Sequence, residues 1–243
     1  MGFIVGVYGV FCYVAFLASF LYAIGFVGNL IVPRTIDSGL SAAVPEALAI
    51  DLMLLGLFAV QHSVMARPGF KRVWTRIVPH CIERSTYVLF SSALLALICW
   101  YWRPIPGVVW VISSPWLSMA MIALFALGWA IVLFSSFLIS HFELFGLRQV
   151  YLRMRGLDYA PMNFTQRALY KVVRHPLMLG FVIAFWAAPS MSVGHLVFAI
   201  ATSGYIVVGI LLEERDLMKC HGADYAAYRA RVPMLFPMGL KHQ

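Results

Sequence analysis

Charge is scarce in this chain. Of its 243 residues 12% are Asp, Glu, Lys or Arg and 62% are hydrophobic, against roughly 25% and 45–50% in soluble globular domains. So few charges cannot clothe a water-facing surface, so a soluble globular protein is excluded and lipid must be the solvent over much of the exterior. Cysteine is also sparse: Cys12, Cys81, Cys99 and Cys220 stand apart, without CxxC or metal-ligand spacing. Neither a disulfide scaffold nor a metal centre is indicated, and Cys12 and Cys99, set in apolar runs, read as small core hydrophobes. The first apolar run follows Met1 with no basic segment and is too long for a signal-peptide core, so it reads as a retained span. There is no fixed-period repeat and no low-complexity linker. One domain over residues 1–243 is the simplest reading, with a four-span part at 1–140 and a hairpin and tail at 141–243.

What the chain has in quantity is long apolar runs. Runs near 20 residues are long enough to cross a bilayer, and four are clear, at about 3–31, 44–65, 85–102 and 116–140. The region 177–212 is longer than one span and is broken by Pro189, Ser190, Ser192 and Gly194, which mark the turn of a tight hairpin. Its first arm, about 177–188, is short for a full crossing, so the turn is expected within the outer leaflet, where protein neighbours must satisfy its backbone. The fold class is therefore all-α: a polytopic membrane bundle of five to six spans with a C-terminal helical hairpin and a cytoplasmic C-terminal helix.

Basic residues orient the bundle. Sixteen of the eighteen Lys and Arg residues fall in three segments: Arg67 to Arg84, Arg148 to Arg174, and the tail from Arg215 to Lys241. By the positive-inside rule these segments and both termini are cytoplasmic. The net charge of +8 is then a topology signal and a contact with anionic lipid heads, not a nucleic-acid surface. Trp100, Trp102, Trp110 and Trp116 collect at the outer interface, as an aromatic belt would.

On this topology ionisable groups gather at the inner helix ends: Gln61 and His62, Glu83 and Arg84, His141 and Glu143, Arg174 and His175, and Glu213 and Glu214. Long Lys and Arg side chains such as Arg67, Lys71, Arg153, Arg155 and Lys241 reach water by snorkelling, but short His and Glu side chains gain little that way. His62, His141, Glu143, His175 and Glu213 are thus candidates for a sheltered cavity where the inner helix ends converge. Asp51 reads equally as a helix-packing contact or a functional group, and His195 as a turn residue or a pocket residue near the outer side.

The ordered combination Arg174-His175-Pro176, Gly180, Glu213-Glu214, Leu217, Gly222, Tyr225, Tyr228, Val232-Pro233 and Pro237 resembles the signature of the isoprenylcysteine carboxyl methyltransferase superfamily. It covers the last third of the chain. Gln61 to Pro68, Glu83 to Tyr87, Trp102 to Pro104 and, most diagnostically, His141 to Gln149 resemble the bacterial methanethiol S-methyltransferases, relatives of the denitrification-associated NnrU proteins. The resemblance implies a multi-pass enzyme of the bacterial inner membrane that methylates methanethiol to dimethyl sulfide, and hydrogen sulfide as well, with S-adenosylmethionine as donor. It places Tyr170, Arg174, His175, Pro176, Gly180, Glu213, Glu214, Tyr225 and Tyr228 around that donor. One departure is Met178, where superfamily members often carry Tyr; this is expected to reshape a pocket wall.

Methyl transfer from a sulfonium to sulfur is an in-line displacement, and near-attack positioning supplies roughly 7–11 kcal/mol of such a barrier. The nucleophile must be the thiolate, so a base or a favourable positive charge is needed. His62 or His141 suits the base, and Arg84, Arg148 or Arg231 the thiolate. Arg174 and His175 suit the donor's carboxylate, Glu213 or Glu214 its amino or ribose groups, and Gly180 close approach of the ligand to backbone. Glu213 and Glu214 could instead pair with Arg174 and Arg215, and Tyr225 and Tyr228 could be interfacial anchors. Rival classes are a haem protein with His62 and His141 or His175 as axial ligands, a methyltransferase for a lipidic substrate, and a non-catalytic transporter.

Overall fold

A computed structural model describes residues 2–160 and 166–237; Lys241, counted above among the tail's cations, lies outside them. Five helices among the described residues are long and apolar enough to cross a membrane: α1 (Gly2–Val27), α2 (Val44–Ala66), α4 (His80–Tyr101), α5 (Pro115–Ile139) and α9 (Val193–Arg231). The chain is a multi-pass membrane protein. Prolines set several boundaries, since proline fits the first helical turn but not the interior: Pro45 in the first turn of α2, Pro68 at the start of α3 (Pro68–Trp74), Pro79 just ahead of α4 and Pro176 at the start of α8 (Pro176–Trp186).

Two compact units interleave along the sequence, divided near residues 108, 139, 162, 191 and 195. The first holds α1 to α4, α6 (His141–Leu144) and α7 (Leu147–Met154). Here α1 packs against α4 and α7. The approach of α7 depends on small residues in α1: a Cβ on Gly9 would lie 2.7 Å from a Val150 methyl, and one on Gly6 2.4 Å from the Met154 sulfur. Met65, Tyr87 and Val88 form a buried core, flanked by Phe16, Phe70, Trp74 and Phe145. Trp102 belongs to this interior and not to an outer belt: it is 2% exposed and its indole Nε1 donates to the Ile36 carbonyl at 3.1 Å. Trp100 does lie on the exterior. Asp51 is fully buried in α2 and its Oδ1 accepts the Arg103 backbone N–H at 2.9 Å.

The second unit holds α5, a 3-10 turn at Ala168–Lys171, α8 and most of α9. Gly128 and Gly180 bring α5 and α8 together: a Cβ on Gly180 would stand 2.7 Å from the Gly128 carbonyl oxygen, and one on Gly128 2.7 Å from the Ala184 nitrogen. α8 and α9 close over a core of Ile206, Ile210 and Leu235 with Met178, Phe181 and Phe185.

The hairpin anticipated at 177–212 is present as α8 and α9. α8 has 11 residues, about 16 Å at 1.5 Å per residue, roughly half of a 30 Å hydrocarbon core. The polar backbone of its turn is satisfied by protein groups. The short strands β1 (Val108–Val111) and β2 (Ser190–Ser192) pair, the Ile112 N–H donates to the Pro189 carbonyl at 2.9 Å, and the Trp110 indole donates to the Ala188 carbonyl at 3.0 Å. Val193 and Gly194 N–H groups reach the carbonyls of Gly107 and Ile105 at 2.9 and 3.2 Å. His195, 1% exposed, is a buried turn residue whose backbone N–H meets the Ser192 hydroxyl at 3.0 Å. The anticipated C-terminal helix is present within the Val193–Arg231 range: the chain kinks at Gly222, where φ is 47°, a positive value that glycine adopts without a Cβ penalty, and a further helix runs on to Arg231.

Candidate active-site residues

In the second unit the motif residues of the tail assemble around one carboxylate. Glu214 is buried, with its side chain 3% exposed. Its Oε1 accepts from Arg174 Nε at 2.7 Å and from His175 Nε2 at 3.1 Å, and its Oε2 lies 3.4 Å from Arg229 Nε. Because a carboxylate only accepts, the imidazole carries its proton on Nε2 in this contact. Nδ1 of the same ring lies 3.6 Å from Oε2 of Glu213, whose side chain is half exposed. Arg174 is spent inside this cluster: Nη1 also donates to the carbonyls of Val232 and Arg229, and its backbone N–H donates to Pro233 at 2.9 Å. The His175 N–H donates to Met234 at 3.1 Å. Val232 to Met234, just past the end of α9, are thus stitched to the start of α8.

Tyr225 and Tyr228 lie within this arrangement and are not interfacial anchors. They are 1% and 2% exposed, their ring centroids are 5.9 Å apart, and Tyr228 OH donates to the Tyr170 carbonyl at 2.6 Å. Burial raises the Tyr170 phenol well above its ordinary value. Pro176 is fully buried at the first position of α8. Arg231 is exposed and bonds back to the Ala227 carbonyl at 3.3 Å.

Two sequence expectations change here. Arg174 does not present a free guanidinium for a ligand carboxylate, because the salt bridge to Glu214 and two carbonyls engage it. Gly180 does not open backbone to a ligand, because the space over its Cα is filled by Gly128 and Val132 of α5.

In the first unit the candidate residues form two networks. His62 is held from both sides: Nδ1 lies 3.1 Å from Ser91 Oγ and Nε2 lies 2.8 Å from Tyr87 OH, with Phe58 stacked on the ring at 5.1 Å. An imidazole with both nitrogens engaged does not have one to give to haem iron, which weighs against the axial-ligand expectation for His62. Arg84 stands over Tyr87, its Cζ 5.0 Å from the ring centroid, and its Nε donates to the Leu144 carbonyl at 2.8 Å.

The second network is built on the short α6. His141 Nε2 meets Tyr13 OH at 2.9 Å, and burial among Phe142, Phe145 and Tyr13 lowers its pKa and favours the neutral ring. Glu143 is paired with Arg148 at 2.6 Å and accepts from Tyr159 OH at 2.8 Å, while Arg148 also donates to the Ala160 carbonyl at 3.1 Å. These two are therefore not unpaired charges waiting for substrate. They bind the segment after α7 down onto α6. Sequence reading missed Tyr87, Ser91, Tyr13, Tyr159 and Arg229. Only Tyr87 gave a signal, standing four residues beyond Glu83 in the motif already singled out.

The chain is 56% identical to the methanethiol S-methyltransferase of Mycobacterium tuberculosis over 236 residues, 97% of each chain. It is 53% identical to the methanethiol S-methyltransferase of Crocosphaera subtropica, over 95% of this chain and 90% of that one. A more distant relative is Nurim of Danio rerio, 30% identical over 71% of this chain and 66% of that one. No family model and no solved structure matches.

Proposed function

The chain belongs to the methanethiol S-methyltransferase family, and on that premise we propose that it transfers a methyl group from S-adenosylmethionine to the sulfur of methanethiol, giving dimethyl sulfide. The observation that carries this reading is the 56% identity over 97% of both chains. The charge distribution supports a location in the bacterial cytoplasmic membrane with both termini inside.

The donor is assigned to the second unit. Its amino acid end carries a carboxylate and an ammonium, and its reacting end a sulfonium. Glu213 is the half-exposed acid of the cluster and suits the ammonium or the ribose hydroxyls; the positive first turn of α8 suits the carboxylate. Arg229, half exposed beside Glu214, replaces Arg174 as the cation of this group. Glu214 and Arg174 serve it indirectly, holding the His175 ring and the start of α8 in place. Tyr170, Tyr225 and Tyr228 wall the cluster with apolar rings, and Pro176 and Gly180 fix the direction of α8. Bound there, the donor supplies an electrophilic methyl on a sulfonium; the chain's residues orient it and exclude water.

The acceptor is small and apolar and needs little recognition surface. Its thiol must lose a proton. His62, His141, Arg84, Arg148 and Arg231 remain the proposed groups, with Glu143 assigned to hold Arg148. Since opposite charges are neutralised in the transition state, an apolar surrounding favours the reaction once the thiolate exists.

The test is headspace analysis of purified protein supplied with methanethiol and S-adenosylmethionine. Dimethyl sulfide should accumulate, and His175→Ala should fall at least about tenfold, as loss of a positioning contact does. Equal product from both proteins would remove His175 from the donor site.

A further inference from the structure

Between Arg67 and Arg84, within the first unit, the chain carries five cations and a single acid, Glu83. α2 ends at Ala66 and α4 begins at His80, and both are long enough to cross a membrane, so the connection that carries α3 is held at the membrane surface. Packing settles its inner side. Phe70 and Trp74, with ring centroids 5.7 Å apart, lie against the core of Met65, Tyr87 and Val88. Helical spacing continues past Trp74, since the Thr75 N–H donates to the Lys71 carbonyl and the Val78 N–H to the Trp74 carbonyl, both at 2.9 Å. Residues four apart on such a turn face the same way. Arg72 with Arg76 and Val73 with Ile77 thus form two adjoining outward rows, and all four side chains are exposed.

These rows call for different surroundings. Arg72 and Arg76 make no hydrogen bond or ion pair among the described residues, whereas Arg148 and Arg174 are spent on Glu143 and Glu214. Lys71, next in sequence to Arg72, has only Glu83, at 3.9 Å. Burial lowers the Lys71 pKa, and the charges of Arg84 and Arg67 add to that effect against the pull of Glu83. The local field is therefore more positive than the chain's own acid offsets. Water suits the arginines but not Val73 and Ile77; hydrocarbon suits the aliphatic pair but not the arginines. The boundary between lipid phosphates and acyl chains suits both.

We propose that the outer side of α3 and the turn after it form a binding site for an anionic phospholipid, with Arg72 and Arg76 on the phosphodiester, Lys71 beside it, and Val73 and Ile77 against the acyl chains. A guanidinium presents paired donors that match two phosphate oxygens, and Arg72 and Arg76 are close enough to share one headgroup. The site goes beyond the methyl-transfer reading and holds its lipid through none of the residues assigned to the donor or the thiol.

The test is native mass spectrometry of the full-length protein in detergent, titrated with phosphatidylglycerol or with phosphatidylcholine. The wild type should retain one phosphatidylglycerol and bind phosphatidylcholine at least about tenfold more weakly. A basic residue at an anionic membrane surface contributes about fivefold in affinity, so the double variant Arg72→Gln, Arg76→Gln should bind phosphatidylglycerol about 25-fold more weakly. Arg153→Gln with Arg155→Gln removes the same charge from the end of α7 and should leave that affinity unchanged. If the Arg72, Arg76 variant does not fold, salt carries the test: the wild-type preference should fade as ionic strength rises to about 1 M, where exposed charges are screened within about 3 Å. Inorganic phosphate should not displace the lipid, because it leaves Val73 and Ile77 uncovered. Equal retention of the two lipids, equal losses in the two double variants, a preference unmoved by salt, or displacement by inorganic phosphate overturns the assignment. Formation of dimethyl sulfide is read separately, so the lipid site and the enzymatic reading can each fail alone.

Discussion

Arg174 Nε donates to Oε1 of Glu214 across 2.7 Å, forty residues apart in sequence and almost wholly removed from solvent. The pair lies between the turn that starts α8 and the middle of α9, so it couples the two arms of the hairpin. A buried ion pair contributes little net stability relative to a well-packed apolar replacement, but breaking one partner strands the other as a buried charge.

Glu214→Ala is therefore expected to destabilise the protein by about 3–5 kcal/mol, because Arg174 and His175 lose their shared acceptor together. Thermal unfolding in detergent would show the midpoint fall. An unchanged midpoint would mean that Arg174 finds another partner.

Glu213 is expected to behave in the opposite way. Its side chain is half exposed and touches only His175 among the described contacts, so Glu213→Ala should leave the unfolding midpoint unchanged. It should weaken S-adenosylhomocysteine binding about tenfold, the effect of losing one charge-assisted contact of roughly 1.4 kcal/mol. Calorimetry with unaltered affinity would return Glu213 to a role as the partner of His175 alone.

Gly180→Ala places a methyl 2.7 Å from the Gly128 carbonyl oxygen and 2.9 Å from a Val132 methyl. Backbone cannot yield as a side-chain tip can, so α8 must move away from α5 at about 1–3 kcal/mol. The unfolding midpoint should drop. Because Gly180 faces α5, donor affinity should fall only to the extent that the midpoint does.

His141 sets a dependence on pH. Burial holds its folded pKa below the ordinary value of about 6.5, so on acidification the unfolded chain takes up the proton first. The stability it contributes is present above about 6.5 and is lost as pH falls through the lowered folded value. The wild-type midpoint should decline across that range, and His141→Gln should decline less. Parallel curves would assign the acid sensitivity to another group.

Much of the fold was legible before any coordinates. The spans are long and apolar over lengths that only a bilayer requires, and Pro189 with Gly194 bracket small polar residues where the chain turns. Boundaries moved by a few residues where prolines start helices early, as at α4. The short β1–β2 pair went unseen because its strands, 108–111 and 190–192, are too brief to leave a period. Trp102 was misread as an interfacial anchor since composition does not distinguish an indole that caps a buried carbonyl from one at a lipid head.

The candidate residues were legible as types and not as partnerships. His62 and His141 stand out in any apolar run, but that Tyr87 and Tyr13 hold them depends on how helices distant in sequence pack. Glu213 and Glu214 are adjacent and identical in kind. Their different fates, one half exposed and one buried against Arg174, follow from the roughly 100° between neighbours on a helix and from where Val232 to Met234 cross it. Gly180 was read toward a ligand because a glycine announces close approach without saying of what.

The most direct measurement is the fate of an isotopically labelled methyl group. Purified protein would be given S-adenosylmethionine deuterated in its sulfonium methyl together with unlabelled methanethiol, and the headspace followed by mass spectrometry. We expect dimethyl sulfide carrying one labelled and one unlabelled methyl, formed in step with S-adenosylhomocysteine. Product without label, or no product while the protein remains folded, would contradict methyl transfer from that donor to that thiol.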